Sequence, residues 1–527
     1  MSYRRILTLF TGLLLAAAAR SQAPELIASD ANRKVVAIEL GDFAQNNQGG
    51  LFAAWVHNDP AEQSLIRFYQ NDGGWAHEQI AAFTNVGSNP EGTPTPPILM
   101  VAGDYSNDGK TDLSVAVNSF ETTTSLRHYQ RNAAGFSPND DSEANILVEN
   151  GAGRQSIFWQ GIAIGDLLGD GVQTLVTSDI NYDQPWPGHA NPIRSLGFGP
   201  QRIYLHRRAG DGAFGTQTSV SDLEFGRENT EETTIAVGDI TGDGEPDLFI
   251  VENLWNRSPG WGHTLTCNVM SANGGTDAGT FKPGDEAEYF DDPIEFVPNA
   301  LLKVGIVIHE LLWDFPHGQM GLTAMAIAGT DDLTRDGKAD MAVARFDSFD
   351  GELYGNPPWP ATGETNNLGV LEIRQTPANG AFAPVQFLEF DIEDFGPYKW
   401  TILDVADVTG DGHQDLLAVA QNVNTGMWHL WRYQWDKGGF ISQNGAPSAA
   451  FPGDGNTYVP PSNAALLNSA SKDDVIPASS TAITAMAAGN VDSDPDIEIV
   501  YALENGELYL IDGPGDQPNP ARHWILY

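Results

Sequence analysis

Apolar residues in this chain fall in short runs, many alternating with polar positions and each stopped by glycine, aspartate or asparagine, a pattern that predicts strands. One arrangement recurs: an apolar run, an acidic loop containing glycine, and a second apolar run. It reads Val101-Ala102-Gly103-Asp104 to Asp112-Leu113, Ile235-Ala236-Val237-Gly238-Asp239 to Asp247-Leu248-Phe249-Ile250-Val251, and Ile402-Leu403-Asp404-Val405-Ala406-Asp407 to Asp415-Leu416. Further copies start at Asp332 and Asn490, and weaker ones at Asp42 and Asp166. Internal repetition of this kind points to radial or stacked architectures.

A second arrangement follows most of these loops: an alternating strand, then a turn with glycine or alanine before an aromatic residue. Examples are Ile66 to Tyr69 leading to Gly74-Trp75, Leu126 to Tyr129 leading to Gly135-Phe136, and Ile203 to Leu205 leading to Ala213-Phe214. Leu371 to Ile373 leads likewise to Ala381-Phe382, and Leu430 to Tyr433 to Gly439-Phe440. Each unit therefore supplies four antiparallel strands, the content of one propeller blade. The expected fold is all-β: a single seven-bladed β-propeller over residues 24–527, with the acidic loops joining strands 1 and 2 of each blade. Loop starts are 62 to 93 residues apart, which a ring tolerates because doubling a surface loop costs only about 0.6 kcal/mol. A closed ring also leaves no exposed sheet edge. The strand that closes it comes either from Glu25 to Ala28 or from Trp524 to Tyr527, and the segment 441–480 reads as a surface crossover.

The phrase Gly-Asp-x-[Ser/Thr]-x-Asp-Gly-x-x-Asp-Leu followed by a Gly-Phe element resembles the FG-GAP/VCBS repeat of integrin α-subunit propellers and of many exported bacterial proteins. The resemblance covers nearly the whole chain after residue 23 and implies a calcium-bearing propeller. It leaves activity open, since one fold hosts many functions.

The loops suggest their own chemistry. Asp104, Ser106, Asp108 and Asp112 place oxygens at positions 1, 3, 5 and 9, with Gly109 at position 6 permitting a sharp turn. Oxygens so spaced suit a hard cation of six to eight ligands, hence Ca²⁺ rather than Zn²⁺. The same pattern holds for Asp239, Thr241, Asp243 and Asp247, for Asp332, Thr334, Asp336 and Asp340, and for Asp407, Thr409, Asp411 and Asp415. A fifth copy, Asn490, Asp492, Asp494 and Glu498, keeps the oxygens but has Pro495 in place of the glycine. In the Asp166 copy Leu168 and Thr174 replace ligand positions, and the Asp42 copy lacks the ninth-position acid, so both are expected to be empty. Asp and Gly also favour turns without metal, but three carboxylates within nine residues repel one another unless a cation sits among them. About four to five structural calcium sites are expected.

Charge and the first residues narrow the setting. Of 527 residues, 70 are acidic and 27 basic, a formal charge of −43, which argues against nucleic acid as a partner. Arg4-Arg5, the apolar run Ile6 to Ala19 and the small residues ending at Ala23 have the layout of a signal peptide over 1–23. No later apolar run reaches the roughly 20 residues a membrane helix needs, so a secreted or periplasmic location is expected. The single cysteine, Cys267, has no intramolecular disulfide partner.

In a four-stranded blade, the 2-to-3 connections and the blade-to-blade crossovers leave the face opposite the acidic loops. The expected third-blade connection carries Asp183, Trp186 and His189, and the fourth-blade connection Trp255, Trp261 and His263. The fifth adds Trp359, and the crossover between blades 4 and 5 adds His309, Glu310 and His317. Flat aromatic faces ringed by carboxylates suit carbohydrate, whose C–H faces stack and whose hydroxyls need acceptors. The leading expectation is a carbohydrate or extracellular surface ligand bound by these enlarged loops, although each tryptophan alone is equally suited to packing a loop. The alternatives are a sugar-directed lyase or dehydratase using the rim histidines, with or without a transition metal, and an integrin-like protein-binding module. His309, Glu310 and His317 do not have the His-Glu-x-x-His spacing of a helical zinc site. Catalytic residues and oligomeric state are not specified by the sequence.

Overall fold

The computed structural model describes residues 24–41, 43, 49–71, 74–87, 97–104, 109–118, 125–132, 135–138, 157–167, 171–181, 202–206, 218–219, 230–238, 247–256, 262–270, 320–327, 341–349, 366–375, 383–389, 398–410, 412–435, 470–491 and 496–512. The expected signal peptide and the Asp332 loop lie outside them.

Every regular element among the described residues is a strand. Strand β1 (Glu25–Ser29) is followed by a first sheet of β2 (Arg33–Gly41), β3 (Gly50–His57), β4 (Ser64–Asn71) and β5 (Trp75–Phe83). The second sheet is β6 (Ile98–Gly103), β7 (Asp112–Val117), β8 (Ser125–Asn132) and β9 (Gly135–Pro138). The third is β10 (Ile157–Gly165), β11 (Thr174–Asn181), β12 (Arg202–His206) and β13 (Thr218–Ser219). The fourth has three described strands, β14 (Thr230–Gly238), β15 (Asp247–Asn256) and β16 (Gly262–Met270). The fifth is β17 (Met320–Ile327), β18 (Met341–Phe349), β19 (Asn366–Gln375) and β20 (Ala383–Glu389). The sixth is β21 (Tyr398–Ala406), β22 (Asp415–Asn422), β23 (Trp428–Trp435) and β24 (Ala470–Asp474). In the last sheet, β25 (Ile483–Gly489), β26 (Glu498–Leu503) and β27 (Glu507–Ile511) are completed by β1. All pairs are antiparallel.

The first strands of successive sheets, β2, β6, β10, β14, β17, β21 and β25, pack one on the next, and β25 packs on β2. The sheets therefore follow one another in a propeller-like ring. Among the described side chains, cores form between neighbouring sheets. Phe52, Ile66 and Phe68 meet Ile98, Met100 and Leu113 of the second sheet, while Val35, Trp55 and Leu65 meet Ala485, Val500 and Leu508 of the last. Each large apolar side chain so buried contributes about 1.5–3 kcal/mol.

Close packing at the ring axis follows one rule at three junctions. A Cβ on Gly103, Gly165 or Gly489, each the last residue of its first strand, would meet Ile164, Val237 or Leu40 of the following sheet. Ile164, Val237 and Leu40 each stand one residue before the end of β10, β14 and β2. Ala406 replaces glycine at the end of β21, where the corresponding residue of the next sheet is the small Ala488.

Closure falls to Glu25–Ser29, which pairs with β27 and settles the alternative left open by the sequence. The Asp30 backbone N–H donates to the Gly506 carbonyl at 2.8 Å. The Asp30 carboxylate accepts from Arg33 at 2.8 Å and from Arg67 at 3.2 Å, and the Arg67 guanidinium lies 5.0 Å from the Trp55 ring centre. Burial pushes the Asp30 carboxyl upward, but hydrogen bonds from Arg33, Asn32 and Arg67 hold it below its ordinary range.

Two sequence expectations change in the sixth sheet. The outer strand does not begin at Gly439-Phe440 after a tight turn; it is Ala470–Asp474, inside the segment expected to be a crossover. Tertiary contacts decide this. Trp431 Nε1 donates to Asp474 Oδ1 at 2.7 Å, the Val475 N–H donates to the Leu430 carbonyl at 2.8 Å, and Val475 and Ile476 are buried against the last sheet.

Candidate functional site

The ring presents two chemically different ends. At one end the acidic loops join first and second strands. In three of them the first-position carboxylate accepts from the backbone N–H of the sixth-position glycine: Asp104 from Gly109 at 2.8 Å, Asp166 from Gly171 at 2.6 Å, and Asp407 from Gly412 at 2.8 Å. The glycines share φ values of 80°, 81° and 84°, a left-handed conformation costly for any residue with a Cβ. The ninth position opens the second strand and is buried, as Asp112, Thr174, Asp415 and Glu498. Asp415 Oδ2 accepts from the Thr409 N–H at 3.1 Å, and Glu498 Oε2 from the Val491 N–H at 2.7 Å. The ninth-position carboxylates are thus turned back onto their own loops. Thr409 Oγ1 also lies 3.4 Å from Asp407 Oδ1.

These oxygens converge from positions 1, 3 and 9 of a single turn, an arrangement that suits a hard cation. Ser106, Asp108, Asp411, Asp492 and Asp494 lie outside the described residues, as do Asp239, Thr241, Asp243, Asp332, Thr334, Asp336 and Asp340. Asp247 opens β15 opposite Gly238, the register Asp112 and Asp415 have in their own sheets. Asn490 directly follows β25. Among the described residues no three His, Cys, Asp or Glu side chains group closely enough to hold a metal.

The opposite end is where β15 stops and β16 starts. Trp255 and His263 were expected in the connecting loop but stand in the strands themselves, directly paired across β15 and β16. The hairpin ladder extends further than the sequence suggested because its register continues unbroken to Asn256 and Gly262. Asp183, Trp186, His189, Trp261, His309, Glu310, His317 and Trp359 lie outside the described residues.

The same end of the sixth sheet carries a cluster the sequence reading did not single out. His429 stacks on Trp431 with ring centres 4.7 Å apart, and Tyr398 meets Trp431 edge-on at 4.8 Å and His429 at 5.8 Å. Asp474 Oδ1, which accepts from the Trp431 indole, is 4.0 Å from His429 Nδ1. Trp431 is buried, whereas the His429 and Asp474 side chains are 18% and 56% exposed. The signal for Tyr398, His429 and Trp431 was present in the aromatic spacing of the strands. Asp474 was not legible, because it joins the cluster only through β24. Two other imidazoles are internal: Ser114 Oγ lies 2.6 Å from His128 Nδ1, and Thr177 Oγ1 lies 2.8 Å from His206 Nε2. Burial drives His206 down to about 3, so it stays neutral.

No family model and no curated protein matches the chain, so the FG-GAP/VCBS resemblance stands on the loop residues alone. Among solved structures, an ulvan lyase representing a new polysaccharide lyase family aligns with TM-score 0.44 and 10% identity, over 93% of this chain and 96% of that chain. The fungal lectin of Aleuria aurantia, a six-bladed β-propeller that recognises fucose, aligns with TM-score 0.36 and 9% identity, over 79% of this chain and 96% of that chain. The Dos1 propeller gives TM-score 0.36 and 9% identity, over 92% and 94%. Likenesses this distant say nothing of what the present chain binds or does, and the ring rests on its own strand order. No helix among the described residues is long and apolar enough to cross a membrane.

Proposed function

We propose that this chain is an exported seven-bladed β-propeller, stabilised by calcium in its acidic loops, that binds carbohydrate on the opposite rim. The observation that carries the ligand assignment is the direct pairing of Trp255 with His263 at that rim. An indole offers a flat apolar face for sugar C–H groups, and an imidazole offers hydrogen bonds to hydroxyls. Calcium belongs to the copies starting at Asp104, Asp239, Asp332 and Asp407, with Asn490 as a fifth. There it neutralises clustered carboxylates and ties each first strand to the second. Export follows from the signal-peptide layout of residues 1–23.

A glycan array probed with the calcium-loaded protein tests the ligand assignment. Binding to at least one glycan class is expected, with a loss of roughly tenfold or more for Trp255→Ala or Trp261→Ala, since one buried contact of this kind contributes about 1.4 kcal/mol or more. A folded protein that binds no glycan sinks the assignment.

The Tyr398–His429–Asp474 cluster favours a second reading, a sugar-directed lyase. A phenol and an imidazole with edge-to-face rings at 5.8 Å, beside a carboxylate, are the groups that take a proton from a sugar carbon and return one to a leaving oxygen. The ultraviolet absorbance of a new double bond on incubation with acidic polysaccharides, abolished in His429→Ala, is expected under this reading. Absence of turnover across a polysaccharide panel removes it.

A further inference from the structure

Two arginines in the first two sheets hold the same place and meet different company. Arg67 and Arg127 each stand two residues before a buried tyrosine, Tyr69 and Tyr129, and each lies opposite the fourth residue of its second strand, Ala53 in β3 and Val115 in β7. Burial pushes both tyrosine hydroxyls up, and in each the neighbouring guanidinium opposes the rise. Both guanidinium groups rest on an aromatic ring, Arg67 at 5.0 Å from the Trp55 centre and Arg127 at 4.9 Å from the Phe83 centre.

The difference lies just past the outer strand of the preceding sheet. After β1 comes Asp30, whose carboxylate accepts from Arg67 Nη2 at 3.2 Å. After β5, which ends at Phe83 against Arg127, comes Thr84, exposed and uncharged. Among the described residues no carboxylate pairs with Arg127, and its buried Nε has no hydrogen-bond acceptor. A buried N–H of a charged group left without an acceptor is costly. The Arg127 side chain as a whole is partly exposed, so a ligand can reach it.

Arg127 also stands near the rim proposed to bind ligand. β7 stops at Val117 and β8 starts at Ser125, two residues before Arg127, which is the end of the ring that carries Trp255 and His263. Phe83 ends β5 on the same side, paired with Ser64 where β4 starts.

We propose that Arg127 is the subsite for the acidic group of a glycan, a carboxylate or a sulfate ester, which takes the place beside Arg127 that Asp30 holds beside Arg67. This rests on the carbohydrate reading of the rim and names the class of sugar it favours.

A guanidinium offers parallel N–H donors whose spacing matches two oxygens of a carboxylate or sulfate. Stacking on Phe83 holds its plane. The formal charge of −43 repels anions at long range, but salt at physiological strength screens exposed charges beyond about 8 Å. The cation in contact therefore decides.

The test is calorimetric titration of the calcium-loaded full chain with four probes: a uronate oligosaccharide, the same oligosaccharide with its carboxyls reduced to alcohols, a sulfated oligosaccharide, and its desulfated form. At least one acidic probe is expected to bind more tightly than its neutral form, and the pair that shows the preference identifies the acidic group. Arg127→Gln should weaken the acidic probe by about tenfold and leave the neutral one unchanged. A second variant keeps the arginine: Thr84→Asp, at an exposed position, supplies the guanidinium with a carboxylate from the chain and should remove the preference as well. Equal binding of acidic and neutral forms by wild type, or a preference that survives both substitutions, overturns the subsite while carbohydrate binding stands. A folded protein that binds none of the four probes removes both.

Discussion

The loops that start at Asp166 and Asp407 share the same cap, yet only the second keeps a carboxylate at the ninth position. Asp166 caps Gly171 as Asp407 caps Gly412, and the two glycines differ by only 3° in φ. The cap is therefore made by the first aspartate and the sixth glycine, whatever stands at the ninth position. On the proposed calcium reading, cation capacity is a separate property, added where the buried ninth residue is Asp415 rather than Thr174. Under that reading a degenerate copy keeps its place in the ring without a metal, and the ninth residue is the guide to how many calcium ions the chain would hold.

The largest effect that sharpens this contrast is removal of calcium. Sites of roughly 10⁻⁴ M affinity at about 1 mM calcium contribute about 1.4 kcal/mol each. Chelation is thus expected to lower the calorimetric midpoint, with recovery on adding calcium back; an unchanged midpoint breaks the assignment. Next in size is Asp415→Ala, expected to cost about 2 kcal/mol by leaving the buried Thr409 N–H without its acceptor and to reduce bound calcium by one equivalent. Thr174→Ala should leave the calcium count unchanged. Isothermal titration on both variants checks this pair, and equal calcium losses would erase the distinction between the loops. The smallest effect is shared: Gly171→Ala and Gly412→Ala should each destabilise by about 1–2 kcal/mol, because both require the left-handed conformation. Clearly unequal losses by denaturant unfolding would show that the turn depends on the ninth residue after all.

Legibility followed sequence distance. The acidic loops were readable because their determinants lie within nine consecutive positions, and first and second strands were readable because they flank those loops. Outer strands were less so. Trp75 and Gly135 start β5 and β9 as the glycine–aromatic signal suggested, but the sixth sheet takes Ala470–Asp474 instead of the stretch after Gly439. An outer strand is chosen by what pairs with it and covers its face, here Trp431, Leu430 and the last-sheet core. Trp255 and His263 were found as residues but misplaced as loop, since nothing local marks where a hairpin ladder stops.

The sequence by itself determined the repeating unit, the all-β class and the oxygen-rich turns, because each depends on neighbours along the chain. Only the tertiary structure decided that Glu25–Ser29 closes the ring, that Asp474 joins Tyr398 and His429 at one rim, and that Asp404 accepts from the Ala488 N–H of the last sheet. Those relations depend on the order of sheets around a closed circuit, which brings distant segments together through packing and hydrogen bonds that no local pattern encodes.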